Sequence, residues 1–289
     1  MMARDEIAGA WDAAAVQAAV GREARATDRL NRRTASLLLD TLGHPMARPV
    51  CEGDEAPLGA HWCLAPPEAP TADLREDGHP GGAHGMLPEL PRSRRMWAGG
   101  EVRWHGSFKI GDDVLRQSRI EQASLKHGRS GALCFVTLAH EYSIAGTRVI
   151  SERQDIVYRA ENSVGGSSIE PAPMGKILQR LPINSVRLFR FSALTGNAHR
   201  IHYDLPYATA AEGYPALVIH GPLQAAFLMQ IAARSTDRPL RRFSYRASRP
   251  LFSGADLLGV RDPSGDPAIF LTYVEGIGVG MRAEAEWGF

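Results

Sequence analysis

"VIHGPLQAAFLMQIAAR", residues 218–234, decides how the rest of the chain is read. Pro222 fits the first turn of a helix, where its missing N–H costs nothing and its fixed φ helps. From there Leu223, Ala226, Phe227, Gln230 and Ile231 fall on one stripe, and Ala225, Leu228 and Met229 fill most of the remainder. A helix apolar almost all round is a buried one, and a sheet wrapped around it fits. Its start carries free N–H groups and a partial positive charge. Gly221 stands there, and its bare backbone lets a ligand come close. That suits a carbonyl oxygen that gains negative charge during a reaction. On this stretch alone the plainer reading of Gly221, a cap ahead of Pro222, is favoured.

The segments around this helix read as sheet. "LRRFSYRASRPLF" (240–252), "ADLLGVRD" (255–262), "AIFLTYVEGIG" (268–278) and "GMRAEAEWGF" (280–289) are predicted strands, as is "VRLFRFSALT" (186–195) before it. The same order stands earlier in the chain. The first 24 residues predict an amphipathic helix, with Ile7, Trp11, Ala14, Ala15 and Ala18 on one face. A second helix is expected at "NRRTASLLLDTLG" (31–43), capped by Asn31 and ended by Gly43. Residues 64–93, with six prolines and four glycines, exclude a long regular element and read as a lid or binding loop. Four strands follow between about 96 and 160, punctuated by Gly, Asp and His-Gly turns. Residues 161–180, rich in Gly, Ser and Pro, read as a linker. The expected organisation is therefore α+β, with halves 1–160 and 181–289 repeating one fold around that linker.

Bulk properties exclude several classes. The 33 basic and 32 acidic residues leave a formal charge of +1, which argues against a nucleic-acid binder. Cys51, Cys63 and Cys134 form no CxxC pair and no zinc-type spacing, so a reduced, cytoplasmic protein is expected. No run approaches the roughly 18 apolar residues of a membrane span, and the N-terminus lacks the pattern of a signal peptide. There is no G-x-S-x-G elbow, no phosphate loop, and no G-x-G-x-x-G between a strand and a helix.

"SALTGNAHRIHYD", residues 192–204, carries the chemistry. His199 and His202 are three apart, with Asn197 five before His202 and Asp204 two after it. A histidine moves protons at neutral pH, and a neighbouring carboxylate or amide orients it. A metal reading needs a third ligand, Asp204 or His220, and lacks both the HExxH pattern and a Cys/His cluster; no metal is expected. A pair of structurally satisfied histidines is the bland alternative.

Residues 191–228, "FSALTGNAHRIHYDLPYATAAEGYPALVIHGPLQAAFL", resemble the hydratase signature of MaoC-like hot-dog proteins. The likeness is to the branch of fungal mitochondrial 3-hydroxyacyl-thioester dehydratase, mesaconyl-C4-CoA hydratase and itaconyl-CoA hydratase. "RRMWAGGEVRW", 94–104, is similar to that branch's first half. The resemblance implies a double hot-dog, two helices each wrapped by a curved antiparallel sheet, with the sheets joined edge to edge. It implies a non-catalytic, substrate-accommodating first half and a second half that adds water to, or removes it from, the double bond of a short-chain enoyl-CoA. A branched or dicarboxylic acyl group fits, as in mesaconyl-C4-CoA or itaconyl-CoA. CoA enters as part of the substrate and no other cofactor is implied.

The broad family pattern, an aspartate, a histidine five residues later and a His-Gly at the helix start, maps onto Asn197, His202 and His220-Gly221. Asn197 departs from it, because an amide cannot take a proton from water. The expected scheme makes His202 the base, with Asn197 holding the water and Gly221 N–H holding the enolate oxygen. His199 orients His202 or binds water, with His220 in support, and Asp204 is a supporting partner or, if Asn197 is inert, the second base. Arg200 either reads a substrate carboxylate or pairs Asp204. Arg94 and Arg95, with Arg92, are placed against CoA phosphates or in a solvated face, and Trp97 against substrate or, more plainly, in the core. A thioesterase on the same fold and a non-catalytic acyl-thioester-binding protein are the alternatives, since one fold hosts many chemistries. A homodimer is compatible with the sequence.

Overall fold

The computed structural model describes residues 11–45, 48–81, 85–91, 93–128, 131–160 and 175–288. A short helix α1 (Ala13–Gln17) leads into strand β1 (Glu23–Arg29) and helix α2 (Arg32–Thr41). Irregular chain with 3₁₀ turns at Ala60–Cys63 and Thr71–Asp73 then runs to β2 (Ser93–Trp104), β3 (Asp113–Gly128), β4 (Gly131–Ile144) and β5 (Thr147–Ala160). The second half shares the order strand, helix, four strands and adds a long helix, with β6 (Ile177–Pro182), α3 (Ser185–Thr195), α4 (Gly221–Ala233), β7 (Leu240–Ala247), β8 (Asp256–Arg261), β9 (Ile269–Val274) and β10 (Gly278–Trp287).

All ten strands form one antiparallel sheet in the order β1-β3-β4-β5-β2-β7-β10-β9-β8-β6. Read outward from the β2–β7 seam, each half has the same sequence of strands. At the seam Gly100 pairs with Tyr245, and a Cβ on Gly100 would lie 2.2 Å from Arg153 O and 2.4 Å from Tyr245 Oη. The "AGG" of β2 is thus the place where two half-sheets can close up without a side chain between them.

Helix α4 is buried over Leu223–Ala232 and packs on β7, β8, β9, β10 and β2. Its two polar residues are satisfied inside: Gln224 Oε1 accepts from Thr272 Oγ1 at 2.7 Å, and Gln230 Nε2 donates to Leu58 O at 2.9 Å. Leu58 belongs to the irregular segment of the first half, and the neighbouring Gly59 faces Ala226 closely. That segment therefore closes over α4. Between α2 and β2 the described residues contain no counterpart of α4.

Three expectations change. Of the helix predicted over the first 24 residues, the described part forms only Ala13–Gln17, and β1 begins at Glu23; residues 1–10 lie outside the described residues. Residues 186–195, predicted as a strand, are helix α3, started by the Asn184 Oδ1 bond to Arg187 N and ended at Gly196 with φ +60°. Buried Leu188 and Phe191 give it a helical face, a spacing of three that outweighed the local alternation. The linker predicted at 161–180 falls mostly outside the described residues, and its last residues are already strand β6. The α2 expectation holds, with Asn31 Oδ1 accepting from Thr34 N at 2.9 Å.

Candidate active site

Helix α3 delivers the chain to Gly196, and a turn carries Asn197 to His199 into a single 3₁₀ turn at Arg200–His202. His202 is buried, and its Nδ1 lies 2.8 Å from Val218 O. A carbonyl only accepts, so Nδ1 carries the hydrogen and Nε2 keeps its lone pair. No described residue takes that Nε2. Burial pushes the His202 pKa down to about 4, against the pull of Val218 O, so the ring is a neutral base at pH 7.

His220 stacks on His202, ring centroids 3.7 Å apart and 19° from parallel. Its Nε2 is bonded to Ser192 Oγ at 2.9 Å on helix α3. Gly221 follows at the first turn of α4, where no side chain caps the N–H groups. A Cβ on Gly221 would stand 2.7 Å from Trp97 Cε3. Trp97 is stacked on Tyr245 at 4.3 Å and meets Trp62 edge-on at 5.5 Å. The glycine and the tryptophan therefore form one wall, with His202 and His220 beside it.

His199, also buried, meets His202 edge-on at 5.5 Å. On its other side lies His79, 4.2 Å away between ring centroids, from the loop of the first half. His79 Nδ1 is 3.0 Å from Asp77 Oδ2, and its backbone N–H donates to Asp77 Oδ1 at 2.9 Å. Burial, chiefly, and the Arg95 charge lower the His79 pKa to about 4, against the pull of Asp77. Burial would raise Asp77; its hydrogen bonds from His79 hold it below the usual carboxylate range instead. Asp77, His79 and His199 bring their ligand atoms within 4.8 Å of one another and are, among the described residues, the group able to hold a metal ion. Asp77 Oδ2 and His79 Nδ1 are, as they stand, spent on each other.

The remaining expected residues divide. Asn197 Oδ1 accepts the His199 N–H at 3.0 Å, so its oxygen fixes the turn that presents His199. Arg200 and Asp204 hold one another: Nε and Nη2 reach Asp204 Oδ2 at 3.0 and 2.8 Å. The guanidinium also lies over Tyr207 and donates to Glu76 O. The carboxylate reader and the second base thus appear as an ion pair at the edge of the turn. Arg94 donates to Glu212 O at 2.6 Å and pairs its carboxylate at 3.0 Å. Arg95 turns inward beside Tyr158, which offsets part of the burial that lowers its pKa. Arg92 lies outside the described residues. Asp77 and His79 were missed by sequence reasoning; the "DGH" in a loop already read as a lid was the available signal.

The family model for hydroxyacyl-thioester dehydratase type 2 matches residues 59–253. The chain is 40% identical over 250 residues to mesaconyl-C(4)-CoA hydratase of Chloroflexus aurantiacus, covering 86% of this chain and 89% of the relative. Among solved structures, HtdX of Mycobacterium tuberculosis superposes with a TM-score of 0.65 at 19% identity, covering 92% of this chain and all of that one. Rv0216 of the same organism, a protein with a double hot-dog fold, gives 0.59 at 11% identity over 92% and 96% of the two chains. The fold is a double hot-dog, and the molecule is an enzyme of the hydro-lyase class. The chain belongs to the hydroxyacyl-thioester dehydratase type 2 family, within the MaoC-like hot-dog dehydratases.

Proposed function

We propose that the protein hydrates the α,β double bond of a short-chain dicarboxylic enoyl-CoA of the mesaconyl-C4-CoA kind, or runs the reverse dehydration. The observation that carries this reading is His202: Nδ1–H committed to Val218 O, Nε2 free, and the uncapped start of α4 at Gly221 next to it. In this scheme the substrate carbonyl oxygen lies on Gly221 N–H. Nε2 takes a proton as water oxygen bonds to Cβ, and the electron pair of the double bond moves to the enolate. The proton on His202 then goes to Cα, which restores the neutral imidazole and balances the step. An N–H aimed at the enolate oxygen contributes about 3–4 kcal/mol to such a transition state. Asn197 acts through the turn that sets His199.

The first half serves as substrate-accommodating cover and the second as the catalytic half. The chemistry needs no metal or cofactor beyond the CoA of the substrate, and nucleic acid has no role. A cytoplasmic homodimer fits this reading; among the described residues no helix is long and apolar enough to cross a membrane. A thioesterase is disfavoured because α4, "GPLQAAFLMQIAA", offers no acidic residue to activate water.

The test is the ultraviolet absorbance of the conjugated enoyl-thioester with crotonyl-CoA, itaconyl-CoA and mesaconyl-C4-CoA, alongside free thiol. Loss of absorbance without thiol, fastest on mesaconyl-C4-CoA, is expected. Thiol release with the double bond intact contradicts the reading.

A further inference from the structure

Asp77 and His79 stand outside every role assigned above. Their loop is seated on the second half by its backbone: Arg200 N donates to Asp77 O at 2.9 Å, and Arg200 Nη1 to Glu76 O at 3.1 Å. Gly78, at φ +89°, lies where a Cβ would be 1.8 Å from Ala198 O, an approach only glycine permits. The Asp77 side chain takes no part in that anchoring. Both its oxygens go to His79, whose ring lies against His199, which in turn meets His202.

Charge gives this arrangement a purpose. When His202 takes a proton from water, a cation forms in a buried cluster of four imidazoles, with Arg95 and Arg75 adding positive charge nearby. A buried charge without a partner is costly. Position 197 offers only a neutral amide whose oxygen is engaged. Asp204 is spent on Arg200. Asp77 is the carboxylate that acts on His199 among the described residues.

We propose that Asp77, seated by His79, is the counter-ion of the histidine cluster, and that the first half thereby supplies across the domain boundary the carboxylate that position 197 lacks. This rests on the hydratase reading and deepens it. Asp77 is a positioning residue: it stays ionised throughout, and the proton passes from water to His202 and on to Cα. The consequence is a division of labour in which the base belongs to one half and its balancing charge to the other.

The experiment combines kinetics with NMR of the imidazole rings on the full chain. Asp77→Asn keeps size and backbone anchors, and is expected to lower kcat about 10- to 100-fold with KM changed less than about twofold. Asp77→Glu should recover part of the loss. Asn197→Asp introduced into the Asp77→Asn enzyme should recover about tenfold, because it returns a carboxylate to the cluster from the other side. A raised KM with kcat unchanged, or no recovery from Asn197→Asp, would overturn the proposal and leave Asp77 a loop anchor. So would activity lost to a chelator and regained with zinc, which would make Asp77, His79 and His199 metal ligands. Ring resonances of His199 and His202 should move in Asp77→Asn and stay in the exposed-site control Asp237→Asn; rings that do not move also overturn it. A wild-type enzyme that hydrates no enoyl-thioester yet shows the ring shifts would sink the hydratase reading alone.

Discussion

One row of residues crosses the sheet from the first half into the second and changes character between β5 and β2, one strand before the seam. Ser118, His140 and Glu152 are paired across β3, β4 and β5; Val102, Phe243 and Ala285 continue the row on β2, β7 and β10. All six are buried. In the second half this surface lies on α4 and is apolar. In the first half the long helix is missing among the described residues, and His61 and Trp62 of a 3₁₀ turn come in under the sheet instead. Glu152 accepts there from Trp62 Nε1 at 2.7 Å, Gln154 Nε2 at 2.7 Å and Tyr142 Oη at 3.1 Å. The same strand order thus encloses a hydrophobic helix on one side and a hydrogen-bonded network on the other. What the first half gives up in a helix it regains as a segment long enough to reach the other half's site.

That contrast can be broken from either side. Phe227→Ala, which empties the centre of α4's packing, is expected to cost about 3–5 kcal/mol in chemical denaturation. Glu152→Ala should cost about 3 kcal/mol, through the three donors left unsatisfied and not through a cavity. Glu152→Gln, which keeps an acceptor, should recover much of it. A Glu152→Ala protein as stable as the parent would show that the polar network contributes nothing.

Acid sharpens the comparison. Burial lowers His61 to about 3 and His140 to about 4 in the network, and His79 and His202 to about 4 at the site, from 6.5. Between pH 6.5 and 4 the unfolded chain binds protons that these folded rings refuse, so stability rises with pH and is lost as pH falls through that window. The slope should approach about 1.4 kcal/mol per pH unit for each such histidine. Unfolding measured at pH 7 and pH 5 checks it; a flat profile would mean the rings titrate normally. The smallest effect is reserved for Arg200→Gln, whose ion pair with Asp204 lies at the solvent-exposed edge of the turn: the midpoint of chemical denaturation should stay at the wild-type value.

Much of the second half was legible in the sequence because its signals are local. Pro222 and the all-round apolar run announce α4, and "NAHRIH" sets His199 and His202 one 3₁₀ turn apart. Helix α3 was misread because "VRLFRF" alternates as a strand does, and only packing selects its helical face. What the sequence hid is non-local. His79 lies 120 residues from His199, in a proline- and glycine-rich stretch with no periodicity. The roles of Arg200 and Asp204 depended on which of two partners each finds, which spacing alone does not decide.

The most direct measurement is hydration of mesaconyl-C4-CoA and crotonyl-CoA by wild type and by His202→Gln, with folding of both confirmed by circular dichroism. The free Nε2 of His202 predicts a loss of about 10²–10⁴-fold in kcat for a folded variant. A His202→Gln enzyme that hydrates either thioester at the wild-type rate would contradict the account.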